Sequence, residues 1–272
     1  MRYHASPSLR PVAPAHPSQR PPLDETRGDY AIRFAHDQSD LDACYRLRYT
    51  VFNLELGEGL AGSERTQLDV DKFDAQCHHL MVIHESSGTV IGTYRIQTAA
   101  MADAGLGFYS AQEFDLASMP DEMTAGSIEL GRACISREHR NRVVLFLLWR
   151  GLMAHLLWNK KRYLFGCSSL TSQTASDGLW AFEHLERKGL VQRDWFCATR
   201  PGFECTATDF STNAEDFPIP SLFATYLRHG AHVCGGPALD REFGTIDFLT
   251  LIDKQEFDSR LAALFALGLP ER

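Results

Sequence analysis

Ile128-Glu129-Leu130-Gly131-Arg132-Ala133-Cys134-Ile135 is an apolar strand that carries two charges. A long helix follows over 143–161, apolar on nearly all sides, and then a second strand over 163–170. Strand, helix and strand in alternation imply a central sheet covered by helices on both faces. In a regular strand, residues three apart face opposite ways. A bulge would bring Glu129 and Arg132 to one side, and Gly131 is where a bulge forms most easily.

The rest of the chain reads outward from this unit. Upstream, 30–35 alternates like a strand, and Ser39 opens a helix with Asp42 at the capping-box position. That helix runs to about Leu56 and stops at Gly57. Strands over 79–84 and 89–97 are split by the turn Ser86-Ser87-Gly88, and 100–126 is irregular. Downstream come helices over 176–188 and 220–229, a strand over 246–252 and a helix over 256–267. Residues 1–28 hold six of the twelve prolines and few large apolar groups, so they read as a disordered tail. The expectation is one α/β domain over 29–272.

Composition narrows the function. The balance of 27 Lys+Arg against 35 Asp+Glu gives a net charge of −8, which disfavours a nucleic-acid binder. No unbroken apolar run exceeds the seven residues of 143–149, far short of the ~20 residues of a membrane span. Seven cysteines, with no C-x-x-C pair, argue against a zinc ribbon or a disulfide framework and for a reducing cytosol. No G-x-S-x-G elbow, H-E-x-x-H or phosphate-binding G-x-x-x-x-G-K-[ST] occurs. No His is followed five positions later by Asp, which removes the O-acyltransferase signature. Cys77-His78-His79 has no second cluster with which to hold a metal, and no metal site is expected.

Several charges stand where apolar residues belong. Leu41, Cys44, Tyr45, Val51 and Phe52 form the inward stripe of the 39–56 helix, and Arg48 sits inside it. A guanidinium there needs a carboxylate partner or an anionic ligand. Arg95 ends Gly92-Thr93-Tyr94-Arg95, and an acidic loop runs through Asp69, Asp71 and Asp74. Arg137, Arg140, Arg142, Arg150, Lys160, Lys161 and Arg162 surround the long helix, with only Glu138 between them in sequence. This basic patch lies beside a helix N-terminus and suits a phosphate, an acidic protein or anionic lipid.

Taken in order, Arg48-Tyr49-Thr50-Val51-Phe52, Asp71-x-x-Asp74, Gly92-x-x-Arg95 and Glu129-x-x-Arg132 resemble the acyl-homoserine lactone and long-chain N-acyl amino acid synthases. These are acyl-carrier-protein-dependent members of the GNAT N-acyltransferase superfamily. Tyr45-Arg46-Leu47-Arg48-Tyr49, Phe108-Tyr109-Ser110-x-x-Glu113-Phe114-Asp115-Leu116 and Glu129-Leu130-Gly131-Arg132-x-Cys134-Ile135 are similar to the bacterial ornithine N-acyltransferases of ornithine-lipid synthesis. So are Leu148-Trp149-Arg150-Gly151-Leu152, Phe165-Gly166-Cys167-Ser168-Ser169-Leu170 and Phe243-Gly244-Thr245-x-Asp247-Phe248. The resemblance covers about residues 30–255.

The resemblance implies a GNAT-type mixed sheet flanked by helices. It implies transfer of a 3-hydroxyacyl chain from the phosphopantetheine of acyl carrier protein to the α-amine of L-ornithine. Glu129 is then the expected base, with Arg132 beside it, and backbone N–H groups of 128–135 hold the oxyanion. Arg48, Arg95 or Arg132 would meet the ornithine carboxylate, Asp71 and Asp74 its side-chain ammonium, and Phe52 completes the substrate pocket. Ordinary GNAT enzymes cradle the CoA pyrophosphate in a glycine-rich loop. Here that stretch is Arg137-Glu138-His139-Arg140-Asn141-Arg142, without glycine, which fits a carrier-protein donor met by Arg137, Arg140 and Arg142. The helix over 176–188 also lacks the tyrosine that often protonates the leaving thiolate. Cys134 and Cys167 flank the expected thioester site and read as small buried residues rather than nucleophiles. Alternatives are the same chemistry on another amino acid and a non-catalytic acyl-carrier or lipid-binding module. The expected location is the cytosol, with loose contact at the inner membrane face through Lys160-Lys161-Arg162, and no cofactor is bound.

Overall fold

A computed structural model describes residues 16–207, 215–257 and 259–269. Among these residues, nine strands form a single sheet in the order β1-β2-β3-β4-β5-β6-β9-β7, with β8 also paired to β9. The strands are β1 (Asp24–Arg27), β2 (Tyr30–Phe34), β3 (His78–His84), β4 (Thr89–Thr98), β5 (Ser127–Ile135) and β6 (Tyr163–Leu170). The last three are β7 (Ala231–Val233), β8 (Ala238–Asp240) and β9 (Thr245–Asp253). Every pairing is antiparallel except β5 with β6, so the sheet is mixed. Parallel neighbours need a long crossover. It is supplied by α4 (Arg142–Trp158), the apolar helix read from the sequence.

The other helices are α1 (Gln38–Tyr49), α2 (Ala99–Asp103), α3 (Asp121–Ala125), α5 (Ala175–Arg187), α6 (Ser221–Arg228) and α7 (Ser259–Ala266). α1 continues through a widened π-type turn over Thr50–Leu56 and stops at Gly57, which takes φ +70°. Its N-cap is Asp37, two residues before the expected Ser39, and Asp37 accepts from the Asp40 N–H. Successive residues of β3 face opposite ways. Leu80 and Val82 pack with Leu148 and Leu152 of α4, whereas Met81 and Ile83 pack with Cys44 and Leu47 of α1. The two helices therefore cover opposite faces. Gly151 lets α4 lie close to the sheet, since a Cβ there would run into the Leu80 side chain. Each large α4 side chain buried this way is worth about 1.5–3 kcal/mol.

The expected tail needs a new boundary. Residues 1–15 lie outside the described residues, but 24–27 form an edge strand. Glu25 ion-pairs with Arg150 of α4, and Arg20 donates to the Ala35 carbonyl. The partner of these polar residues lies across the fold, where local composition does not reveal it.

Candidate active site

β5 and β6 pair only over Ser127–Glu129 and Tyr163–Phe165. Beyond that point β5 stays with β4 while β6 follows β9 along its whole length. The sheet therefore splits, and two local features sit at the split. At Gly166 (φ +159°) a Cβ would strike the Leu130 carbonyl oxygen, so the last close approach of the strands requires glycine. In β5, Thr93 opposes Cys134 while Arg95 opposes Gly131, which leaves one extra β5 residue. This is the bulge expected near Gly131. The residue in the left-handed conformation is Arg132, at φ +49°.

The split opens a cleft of about 650 Å³. Leu130 to Ile135 form one wall and Leu164 to Ser169 the other. Leu148 of α4 and Leu222, Phe223 and Tyr226 of α6 add apolar surface, and Phe52 stands against Phe243 with ring centroids 5.3 Å apart. Tyr226 shares a hydrogen bond of 2.5 Å with Tyr94, also in the wall.

Glu129 lies where the strands part and is buried. Its Oε2 accepts from Gln97 Nε2 (2.5 Å) and the Tyr109 N–H (2.9 Å), and its Oε1 from the Ser110 N–H (2.7 Å). A carboxylate oxygen can accept two bonds, so Oε1 retains a lone pair. Beyond Glu129 the β5 backbone has no partner in β6, which leaves the polar groups on that edge outside the ladder.

Beside it, three arginines and three aspartates neutralise one another. Arg48 is fully buried; its Nε donates to Asp69 Oδ1 and its Nη1 to Asp74 Oδ1, both at 2.7 Å. Arg95 Nη1 reaches both oxygens of Asp71 at 2.6 Å and Asp74 Oδ1 at 3.2 Å. Arg132 Nη2 donates to Asp71 Oδ2 at 2.9 Å. Burial opposes charge on Asp74, but the Arg48 and Arg95 guanidinium groups overcome it and hold the carboxyl far below the usual range. Arg95 and Arg132 line the cleft, and Arg132 lies over the Phe243 ring at 4.2 Å from its centroid.

Arg48 and Asp74 line neither this cleft nor the cavity adjoining it, so the substrate contacts expected of them do not fit their placement. The spacing showed that Arg48 needed a partner. It did not show that Asp69, from the same acidic loop, would be one. Asp71 faces the adjoining cavity, with both oxygens already held by guanidinium groups.

The basic patch is also less free than its sequence suggests. Arg140 ion-pairs with Glu55 at 2.5 Å, Arg150 with Glu25 and Arg162 with Asp253. Lys161 Nζ donates to the Ala125 carbonyl. Arg137 and Arg142 remain exposed, and Arg140 and Arg142 line the cleft mouth. Asn141 caps α4, its Oδ1 accepting from the Val143 and Val144 N–H groups.

Burial pushes the Cys134 and Cys167 thiols up, away from the thiolate form. His79 Nε2 donates to the Asp74 carbonyl, and His78 pairs with His155, so the Cys77-His78-His79 run is dispersed in the core. Several site residues were given no role from the sequence, although all but Gln97 stand in the stretches that carry the family resemblance. Gln97, Tyr109 and Ser110 hold Glu129, and Glu113 and Asp247 lie close behind it.

Residues 47–150 match the acetyltransferase (GNAT) domain family. The chain is 31% identical to the L-ornithine N(alpha)-acyltransferase of Rhodobacter capsulatus, over 85% of this chain and 92% of the relative. It is 30% identical to that of Rhizobium meliloti, over 81% and 78%. The fold resembles FeeM, an N-acyl amino acid synthase from uncultured soil microbes, with a TM-score of 0.50 at 11% identity over 84% and 93%. With its split sheet, bulged strand and crossover helix, the chain is by these matches an acyltransferase of the GNAT class. Within that class the chain belongs to the L-ornithine N(alpha)-acyltransferase family.

Proposed function

We propose that this protein transfers a long 3-hydroxyacyl chain from acyl carrier protein to the α-amine of L-ornithine, giving a lyso-ornithine lipid. The observation that carries the reading is the cleft itself. It is a split between β5 and β6 with a carboxylate, Glu129, at its inner end and apolar walls running outward. An acyl chain suits the apolar walls contributed by α4 and α6. The phosphopantetheine arm would lie between the strands, with the thioester carbonyl facing unpaired β5 N–H groups. The amine arrives protonated. Glu129 takes the proton, directly or through a water, and the neutral amine attacks the thioester. Holding amine and thioester together contributes about 7–11 kcal/mol of the barrier reduction. The tetrahedral intermediate then expels the carrier thiolate, a far weaker base than the amine anion, which takes up the second amine proton and leaves as the free thiol.

Of the arginines that line the cleft, Arg95 and Arg132 stand on the strands that carry Gln97 and Glu129, and they are assigned to the ornithine carboxylate. Their hydrogen bonds to the aspartates leave from Nη1 and Nη2 respectively, so each keeps other N–H donors. A carrier-protein donor is favoured by the cap on α4. The N–H groups that would bind a CoA pyrophosphate are taken by Asn141. Arg137 and Arg142, with Arg140 braced by Glu55, are assigned to the acidic carrier protein. No helix among the described residues is long and apolar enough to cross a membrane. The amphiphilic product must nevertheless reach a bilayer, so loose contact with the inner membrane face belongs to the same proposal. Expression in a host that lacks ornithine lipids tests the reading: mass spectrometry should find lyso-ornithine lipid. A host expressing the folded protein without that product would refute it.

A further inference from the structure

Behind Glu129, two carboxyl groups are buried without an ion-pair partner among the described residues. Glu113 is 1% exposed and Asp247 4%. Among the described residues, neither oxygen of Glu113 accepts from an N–H or O–H donor, and nor does Oδ1 of Asp247. One oxygen of each lies within 4.8 Å of the other and of the Cys167 sulfur. Asp240 adds a third negative charge nearby; its Oδ1 accepts from the Glu242 and Phe243 N–H groups. Arg132 attracts Glu113, but its ion pairs are with Asp71 and Asp69. The contrast with the neighbouring cluster is sharp: there each aspartate has a guanidinium.

Two carboxylates at this depth with no cation between them are costly together, even with the Ser169 and Thr245 hydroxyls beside Asp247, so one of them keeps a proton when nothing else is bound. Burial pushes Asp247 up to about 6, and burial followed by the charge of Asp247 pushes Glu113 well above the usual range. A positive group placed between them would take over the role of that proton.

Position says where such a group comes from. Asp247 and Cys167 line the cleft, while Glu113 and Asp240 line the adjoining cavity, and Tyr109 and Arg132 form part of both walls. Cys167 Sγ lies 3.6 Å from Ser110 Oγ, and the Ser110 N–H donates to Glu129. Cys167 and Ser110 thus link the acid pair to Glu129, the group that would receive the proton of the reacting amine.

We propose that Glu113 and Asp247, backed by Asp240, form the receptor for a second, side-chain ammonium on the acyl acceptor. The inference rests on the acyl-transfer reading above. It moves recognition of that ammonium away from Asp71 and Asp74, whose oxygens are occupied by arginine. A diamino acid then lies with its α-amine toward Glu129, its carboxylate toward Arg95 and Arg132, and its terminal ammonium between Glu113 and Asp247.

The test compares acylation of L-ornithine with that of L-norvaline, which has the same carbon chain and no terminal ammonium. The full chain, Glu113→Gln and Asp247→Asn are assayed with acyl-carrier donor, and thermal melts confirm folding. The native protein should prefer ornithine by at least 100-fold in kcat/KM. That ratio should fall at least tenfold in each folded variant, chiefly through a higher KM for ornithine. Should Asp247→Asn not fold, the near-isosteric Glu113→Gln decides alone. An unchanged ratio in folded Glu113→Gln would overturn the receptor. Equal use of ornithine and norvaline by the native protein would remove the receptor and leave acyl transfer standing. Acylation of neither would remove the acyl-transfer reading and the receptor with it. Stoichiometric binding of added Zn²⁺, lost in Glu113→Gln, would make this a metal site and overturn the assignment.

Discussion

Arg48 Nη1 lies 2.7 Å from Asp74 Oδ1, with the two side chains 0% and 1% exposed. The pair joins α1 to the acidic loop, and Asp69 holds the other side of the same guanidinium at 2.7 Å. Removing one member leaves an uncompensated charge in the core. Arg48→Met and Asp74→Ala should each cost about 3–5 kcal/mol of stability. Chemical denaturation measures this directly. A stable Arg48→Met protein with only a raised KM for the acceptor would return Arg48 to the substrate.

Glu129→Gln should lower kcat by about 10²–10⁴ while the protein stays folded. The near-isosteric amide keeps the volume and loses the base. Near-normal turnover of a folded variant would show that Glu129 does not take the amine proton.

Gly166→Ala tests the geometry of the split. A methyl group there meets the Leu130 carbonyl, so the strands must part earlier. The variant should lose about 1–3 kcal/mol of stability and most of its transfer activity. Thermal melts and initial rates check the two effects, and a fully active, equally stable variant would mean that the strands approach differently.

Much of this was legible from the chain itself. The β5 strand, α4 and β6 announce themselves by apolar runs of the right length, and the stop at Gly57 by its glycine. Glu129 and Arg132 stood out because charges in an apolar strand need a reason. Arg48 stood out equally, yet its reason is internal. A buried arginine held by carboxylates and one awaiting an anionic ligand leave the same mark on a sequence. The partners that settle it, Asp69 and Asp74, are 21 and 26 residues away. Glu113 and Asp247 were hidden for a similar reason. Their proximity is created by a loop and β9 meeting across 133 intervening positions, and although Asp247 is a charge in an apolar strand, nothing in the sequence pairs it with Glu113. The short edge strands β7 and β8 have three residues each, too few to show alternation.

The acid pair has a signature in stability. Asp247 titrates at about 6 when folded, against 3.8 for the ordinary group. The folded state therefore holds more protons between those values. Its contribution is present below about pH 4 and lost as pH rises through about 6, up to about 3 kcal/mol. His79 acts in the opposite sense. Burial lowers it to about 4, so its contribution is present above about pH 6.5 and lost as pH falls through 4. Comparing native protein with Asp247→Asn cancels His79. The variant should gain relative stability between pH 4 and pH 7.5, and a parallel pair of pH profiles would contradict the pairing.

Reversing Arg137 and Arg142 to glutamate should raise KM for acyl carrier protein, through slower association that is most evident at low salt. Arg140 is left in place because it is tied to Glu55. Stopped-flow binding at two ionic strengths provides the measurement, and rates independent of both salt and charge reversal would remove the patch from docking.

The central claim is that the β5–β6 cleft joins a carrier-bound acyl chain to an amino acid amine. Purified protein, 3-hydroxyacyl carrier protein and L-ornithine in one reaction test it most directly, with mass spectrometry of the product. The account predicts an amide at the α-nitrogen of ornithine, one carrier thiol released per amide, and loss of both in Glu129→Gln. Thiol release without an amide, or acylation of ornithine undiminished in folded Glu129→Gln, would contradict it.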